Sequence, residues 1–322
     1  MSTLQTIKQS IASELDQLNR RISDQLGGGN PLMDTVVQTY LRTKGKQIRP
    51  IIVLLTAKML GTINDKTLAA AAAVELLHNA SLIHDDVVDN SQLRRGTPTI
   101  NAIWDNHIAV LVGDLFVSSA MQQAISTGDI HIIDSLCRLG KELSLGELDQ
   151  IYNARYHKLT EDAYFRIIKF KTASLFVACT EMGSYAVGAS DHDRELLTQF
   201  AELMGLCFQI RDDIYDYFSE EAVGKPTGND LREGKITLPL LHVLLDDENA
   251  DNAEMRPLSQ KEMLSDEEIA RLIQHAINGG GIDYAFDRMG QLRDEASLIL
   301  NQLPESEASH SMLDLFDSII AR

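Results

Sequence analysis

The 322-residue sequence predicts an all-α protein, and three observations carry that expectation. Only 20 Gly and 7 Pro punctuate the chain, leaving long stretches that nothing forces out of a helix. Those stretches are rich in strong helix formers, with apolar residues recurring at helical spacing. Convincing period-two alternation is scarce. At 44% hydrophobic and 24% charged residues the composition is that of an ordinary folded globule. No composition shift divides it, so residues 1–322 are expected to form a single domain.

Taken in order, Met1–Arg20 is an amphipathic mixture without the apolar stretch or small-residue cleavage site of a secretion signal. Leu26–Pro31 (LGGGNP) reads as a loop. Ile51–Leu55 would pass for a strand in isolation, but it runs on through Thr56, Ala57, Lys58, Met59 and Leu60 without strand partners, so helix is expected. Thr67–His78, built around Ala69–Ala73 with few β-branched residues, reads as a buried helix. Further helices are expected over Ile108–Ile125, Ile132–Tyr152, Tyr164–Gly183, Asp193–Tyr217 and Thr237–Leu245, with loops at Leu93–Thr99, Glu220–Lys235 and Asn278–Ile282. Asp246–Glu268 is acidic and polar, the pattern of a solvated connection leading into a helix N-terminus. The richest apolar runs, Ile51–Leu55 and Ile108–Val112, fall short of the ~20 apolar residues that span a bilayer, so no transmembrane segment is expected.

Charge and cysteine usage narrow the function classes. With 29 Lys+Arg against 47 Asp+Glu the formal charge is −18, which argues against nucleic-acid binding. Cys137, Cys179 and Cys207 are scattered and lack CxxC spacing, so neither a disulfide framework nor a zinc knuckle is suggested, and a reducing cytoplasm fits.

The strongest local feature is DDVVD, with Asp85, Asp86 and Asp89 on a run made helical by its upstream pattern. Asp85 and Asp89 fall on one helix face, where like charges repel unless a cation sits between them. Asp212, Asp213 and Asp216 in QIRDDIYDYF repeat the pattern, again in apolar helical context. Open sets of carboxylate oxygens suit Mg²⁺ shared with substrate phosphates. The alternating spacing of an EF-hand is missing. Either cluster alone reads equally well as a solvated helix end; two copies in apolar helices point to metal. Basic groups accompany them: Lys44, Lys46 and Arg49 in KGKQIRP, Arg94 and Arg95 after the first cluster, and Lys225 to Lys235 after the second. Arg offers phosphate a bidentate fork and Lys a point charge. His78, two helical turns before Asp85, points roughly the same way, and both a structural and a ligand role stay open for it. His84, His107 and His131 read as structural.

The motifs GKQIRP (Gly45–Pro50), LLHNASLIHDDVVDNSQLRRGTPT (Leu76–Thr99), LVGD (Leu111–Asp114), GELDQ (Gly146–Gln150), KTA (Lys171–Ala173), FQIRDDIYDY (Phe208–Tyr217) and GKPTGNDLREGKITLP (Gly224–Pro239) resemble those of the trans-isoprenyl diphosphate synthases. Gln47 stands where many members have Arg. The resemblance implies an isoprenoid-synthase-type helical bundle around a deep central cavity, with both aspartate motifs across its mouth. It further implies a Mg²⁺-dependent prenyltransferase that joins an allylic diphosphate to isopentenyl diphosphate head to tail, working as a homodimer. By motif, Asp85, Asp86, Asp89, Asp212, Asp213 and Asp216 bind the metal; Arg94, Lys171, Lys225 and Lys235 grip the allylic diphosphate. Gly45, Lys46, Arg49, His78 and Arg95 hold isopentenyl diphosphate, and Lys171, Thr172 and Gln209 stabilise the carbocation with oxygen dipoles. Also by resemblance, Ala80 and Ser81, about one turn before the first cluster, line the pocket in which the product grows. Both are small, so elongation past fifteen carbons is expected, with Phe116 and Leu136 as candidate floor residues and a medium- or long-chain product. A short-chain synthase stays open as the alternative, as does a non-catalytic regulatory subunit, although every residue whose loss would signal the latter is present. GKQIRP and the second cluster argue against a terpene cyclase.

Overall fold

The computed structural model describes residues 3–27, 31, 33–36, 45–94, 96–156, 160–218 and 227–321. Among them the expected all-α class holds: the strands are two dipeptides forming one antiparallel hairpin, β1 (Leu93–Arg94) with β2 (Thr97–Pro98), closed by Gly96 at φ +74°. Cα proximity divides the chain into two compact units, one of Met1–Lys141, Leu175–Gln199 and Leu300–Ser318, the other of Glu142–Ser174, Phe200–Ile299 and Ile319–Arg322.

The first unit is organised by α4 (Asp65–Val88), which follows α1 (Thr3–Ser10), α2 (Ala12–Leu26) and α3 (Ile48–Leu60). A capping box starts α4: the Asn64 side chain accepts from the Thr67 amide at 3.0 Å, and the Thr67 hydroxyl accepts from the Asn64 amide. From Thr67 to Leu77 every residue is buried, with Ala69–Ala73 at 0–1% exposure. This run of small side chains lets α6 (Asn106–Ser126) lie close along α4, through Ala109, Val112, Gly113, Phe116, Ala120 and Ala124. The four-residue helix α5 (Ile100–Ile103) leads into α6. Among the described residues α6 alone is long and apolar enough to cross a membrane, yet its Ala109–Ala124 face is packed in this core. Leu111, Leu115, Met121 and Ile125 stay exposed.

In the second unit α8 (Glu161–Ile168) continues through a π-turn, Lys169–Ala173, into α9 (Ser174–Ala186), which from Leu175 onward belongs to the first. The expected helix over 164–183 is therefore present, with one widened turn at the KTA motif. α7 (Ile130–Tyr156) and α10 (Asp191–Tyr215) are long helices that run from one unit into the other. The short α11 (Asn229–Arg232) precedes α12 (Leu238–Leu245), α13 (Asn252–Ser259), α14 (Asp266–Asn278) and α15 (Gly281–Leu300); α16 (Glu307–Ile320) ends the chain. One expectation needs correcting. The polar stretch 246–268 is not all solvated connection, because α13 forms inside it and buries Asn252, Met255 and Leu258. Asn252 donates to the carbonyls of Val243 and Asp246, both at 2.7 Å, and its Oδ1 faces His275 Nε2 at 2.8 Å.

Candidate active site

Both aspartate clusters close long helices at the C-terminal end. Asp85 and Asp86 occupy the last turn of α4 and Asp89 caps it, its amide bonded to the Asp85 carbonyl at 2.8 Å. Asp212 and Asp213 lie in the last turn of α10, and the Asp216 amide bonds the Asp212 carbonyl at 3.2 Å. Neither last turn contains a basic residue. A helix C-terminus carries about half a negative charge, so each carboxylate there is disfavoured by ~0.3–1 kcal/mol in addition to mutual repulsion. The same arrangement, unfavourable without added positive charge, thus occurs at both helix ends.

In the first cluster Asp86 is buried and its Oδ1 accepts from Arg94 Nε at 2.8 Å, with the Arg94 terminal nitrogen also at 2.8 Å. The hairpin β1–β2 thus returns Arg94 to the helix end it follows. Asn101, from α5, donates to the Asp86 carbonyl at 3.3 Å and to that of Ser91 at 3.0 Å. Gly113 of the LVGD motif explains itself here: a Cβ on it would stand 2.2 Å from His84 Nε2. His84, beside Asp85, faces the Val110 carbonyl at 3.3 Å and Asp114 at 3.4 Å, the structural role expected of it.

Upstream, Gly45 and Lys46 precede α3 and Arg49 sits half-buried in its first turn. Gln47 adopts φ 54° and donates from Nε2 to Asn19 Oδ1 at 3.0 Å, tying this segment to α2. His78, half-buried, and Ala80, fully buried, lie on α4; the Ser81 hydroxyl donates to the His78 carbonyl at 2.9 Å. Phe116 and Leu136 are both buried. Arg95 and Lys225 lie outside the described residues.

The second cluster sits in a denser polar network. Asp212 is exposed, with Arg211 beside it at 3.8 Å. Asp213 is buried: its Oδ2 accepts from the Tyr164 hydroxyl at 2.6 Å and its Oδ1 from Gln209 Nε2 at 2.7 Å. Gln209 Oε1 in turn accepts from the Thr172 hydroxyl at 2.6 Å. Burial, and then the charges of Asp230 and Asp212, push the Asp213 carboxyl well above the usual carboxylate range, while the bonds from Tyr164 and Gln209 pull it down. Asp230 is raised to about 6 by burial and by Asp216, with Lys235 opposing. Both Asp216 oxygens accept backbone amides, from Asn229 at 3.1 Å and Asp230 at 3.0 Å, so this residue also starts α11.

Lys171 donates to Glu147, and to Gln150 Oε1 at 3.3 Å. Lys235 pairs with Glu233. Each described residue expected to grip the allylic diphosphate is therefore held on a carboxylate. Glu147 and Gln150 belong to GELDQ, and their i, i+3 spacing puts them on one face of α7. That spacing was the available signal for Lys171's partners; Tyr164 had none.

No three His, Cys, Asp or Glu side chains among the described residues converge as a cage for a metal. The donors nonetheless fit a divalent cation of the Mg²⁺ type, which takes one or two carboxylates and completes its shell with water and substrate phosphate. They are oxygen-only, partly open, and placed where cationic charge relieves an existing strain.

An all-helical fold with two such clusters, each followed in the sequence by Arg or Lys, defines a class, and comparison identifies it. The polyprenyl synthetase family matches residues 30–276, and the chain belongs to it. It is 32% identical to an octaprenyl diphosphate synthase of Haemophilus influenzae, over 98% of this chain and 96% of that one. The crystal structure of a polyprenyl synthase from Caulobacter crescentus, complexed with calcium and isoprenyl diphosphate, superposes with a TM-score of 0.91 at 31% identity, covering 99% and 98% of the two chains. A geranylgeranyl pyrophosphate synthase from Bacteroides thetaiotaomicron superposes at 0.86 with 36% identity, covering 99% of both.

Proposed function

We propose that this prenyltransferase is Mg²⁺-dependent and condenses an allylic diphosphate with isopentenyl diphosphate, head to tail, into a medium- or long-chain all-trans polyprenyl diphosphate. The carrying observation is the pair of aspartate clusters at the C-termini of α4 and α10, each accompanied by bases suited to phosphate. Asp85, Asp86, Asp89, Asp212, Asp213 and Asp216 hold the cations, directly or through water. When bound, the cations supply Lewis-acid stabilisation of the departing diphosphate. Arg94, Lys171, Lys225 and Lys235 bind that diphosphate and share its growing charge. For Arg94 and Lys171 this means exchanging Asp86 and Glu147 for phosphate oxygens. Gly45, Lys46, Arg49, His78 and Arg95 hold isopentenyl diphosphate, while Thr172, Gln209 and the Lys171 carbonyl face the allylic cation with oxygen. The departed diphosphate takes the final proton.

We assign residues 1–322 to one polyprenyl synthase domain, supported by a family match that runs continuously through segments of both units. The assembly we propose is a homodimer in the cytoplasm, supported by the exposed Leu111, Leu115, Met121 and Ile125 on α6 and by three cysteine thiols without disulfides. The likeness to the geranylgeranyl synthase favours a second reading, a short-chain product with the same chemistry. Incubation with Mg²⁺, farnesyl diphosphate and labelled isopentenyl diphosphate, followed by chromatography, decides between them. Products beyond twenty carbons are expected; a twenty-carbon end point selects the short-chain reading, and no diphosphate release refutes both.

A further inference from the structure

We propose that Asn101 is a positioning residue for Arg94: its side-chain amide fastens the start of α5 to the turn that ends α4, and so holds in place the hairpin that carries Arg94 between them. The inference rests on the proposed function, since Arg94 meets the allylic diphosphate only under that reading.

The hairpin is too small to fix its own position. Each strand is two residues long, with Leu93 opposite Pro98 and Arg94 opposite Thr97, and so short a ladder is marginal in water. The Arg94 side chain does tether it to Asp86. That tether is the contact which the proposed function has Arg94 give up for phosphate oxygens. Once it is released, the place of the guanidinium depends on how the two legs of the hairpin are held at their base.

The first leg leaves α4 through a Schellman turn. Asn90 takes the left-handed conformation at φ 51°, its amide bonds the Val87 carbonyl at 3.3 Å, and the Ser91 amide bonds the Asp86 carbonyl at 2.9 Å. Asn101, only 8% exposed, reaches both residues of that closing pair: Nδ2 donates to the Asp86 carbonyl at 3.3 Å and to the Ser91 carbonyl at 3.0 Å. Thr99, at the end of the second leg, adds its hydroxyl to the Ser91 carbonyl at 2.7 Å and its amide to the Gln92 carbonyl at 3.2 Å. Thr99 therefore grips the turn alone, whereas Asn101 grips the helix as well. The direction of the Asn101 amide follows from its partners, because one nitrogen with two protons suits two carbonyl oxygens and the amide oxygen would oppose both. Truncating Asn101 strands neither carbonyl, since Asp86 keeps the Ser91 amide and Ser91 keeps the Thr99 hydroxyl. The helix end thus survives the truncation, and what is lost is the setting of the hairpin against it.

The test is calorimetric binding of farnesyl thiolodiphosphate, an allylic analogue slow to ionise, with Mg²⁺, to the parent, Asn101→Ala, Arg94→Gln and the double variant. Asn101→Ala should weaken binding about tenfold on its own and by less than about twofold in the Arg94→Gln background, because it acts through that guanidinium. KM for the allylic substrate should rise in step, with the urea midpoint close to that of the parent. Parent-like binding in Asn101→Ala would overturn the proposal, as would an equal fold-loss in both backgrounds, which a merely structural role would give. If Asn101→Ala does not fold, Asn101→Ser, which keeps a donor, takes its place under the same two criteria; failure of both to fold assigns Asn101 to stability alone and overturns the proposal. A parent that does not bind the analogue with Mg²⁺ defeats the proposed function itself, whereas a binding parent with an unaffected Ala variant defeats this inference only.

Discussion

Gly146→Ala should separate activity from stability, because Gly146 is where α7 meets the backbone of the π-turn. A Cβ at position 146 would stand 2.7 Å from the Lys171 amide nitrogen and 3.1 Å from its Cα and Cβ, whereas ordinary contacts lie at 3.4–4 Å. Two backbone segments must therefore separate by about 0.7 Å, and no flexible side chain is available to absorb the movement. Overpacking of this kind costs ~1–3 kcal/mol, and replacing a helical Gly returns ~1 kcal/mol, leaving a net loss of ~0–2 kcal/mol.

The effect on catalysis is larger. Lys171 is held by Glu147 and Gln150 on the same helix, and Thr172 is bonded to Gln209. A displacement near 1 Å in such groups costs ~10²-fold in rate. The assay is diphosphate release at saturating substrate and Mg²⁺, with urea unfolding in parallel. The expected result is a fall of about two orders of magnitude in kcat with only a modest shift in unfolding midpoint. A kcat within about twofold of the parent would refute the close-contact reasoning, and so would a loss beyond ~4 kcal/mol, since the damage would then not be local to the turn.

Three further outcomes are expected. Ser81→Phe should shorten the product by one or more isoprene units; equal product lengths by chromatography would defeat the assignment of Ala80 and Ser81 to the growing-chain pocket. Stability should fall as pH drops below the ordinary histidine range: burial lowers the His275 pKa, so over that window the unfolded chain binds the proton more readily than the native one. The contribution is fully present above ~6.5 and is lost as pH falls through the lower native value, so urea midpoints between pH 7.5 and 5.5 should decline less steeply in His275→Gln than in the parent. Gly281→Ala should destabilise by ~3 kcal/mol or more, because its Cβ would stand 2.0 Å from the Pro239 carbonyl oxygen; a urea-measured loss under ~1 kcal/mol would contradict that geometry.

What was legible in the sequence was what repeats over short distances. The alanine run at Ala69–Ala73 declares a helix that another helix can approach closely, and α6 does so. Asp85 with Asp89, and Asp212 with Asp216, declare shared helix faces by spacing alone. The polar run 246–268 hid α13, because what holds that helix is Asn252 bonded to Val243 and set against His275, contacts that composition does not reveal. Tyr164 was invisible for the same reason: its partner lies 49 positions away, and nothing local marks a tyrosine as a donor to a buried carboxylate. The widened turn at Lys169–Ala173 has no sequence signature either, although π-turns recur at functional sites.

The helix ends bear most on function. Spacing put each cluster on a helix without saying where the helix stops, and the stopping point changes the physics. Mid-helix, the carboxylates would repel only one another; at the C-termini of α4 and α10 they also oppose the helix dipole, in turns that hold no base. Of the described cations, Arg94 pairs with Asp86 and Arg211 lies 3.8 Å from Asp212, whereas Lys171 and Lys235 are matched to Glu147 and Glu233. Under the proposed function, a ligand that brings cations and diphosphate would satisfy both kinds of group, the metal meeting aspartates and the phosphate meeting bases. On that proposal the unfavourable electrostatics of these helix ends lie where a substrate complex would correct them, which would direct binding energy to the atoms between which bonds are made and broken.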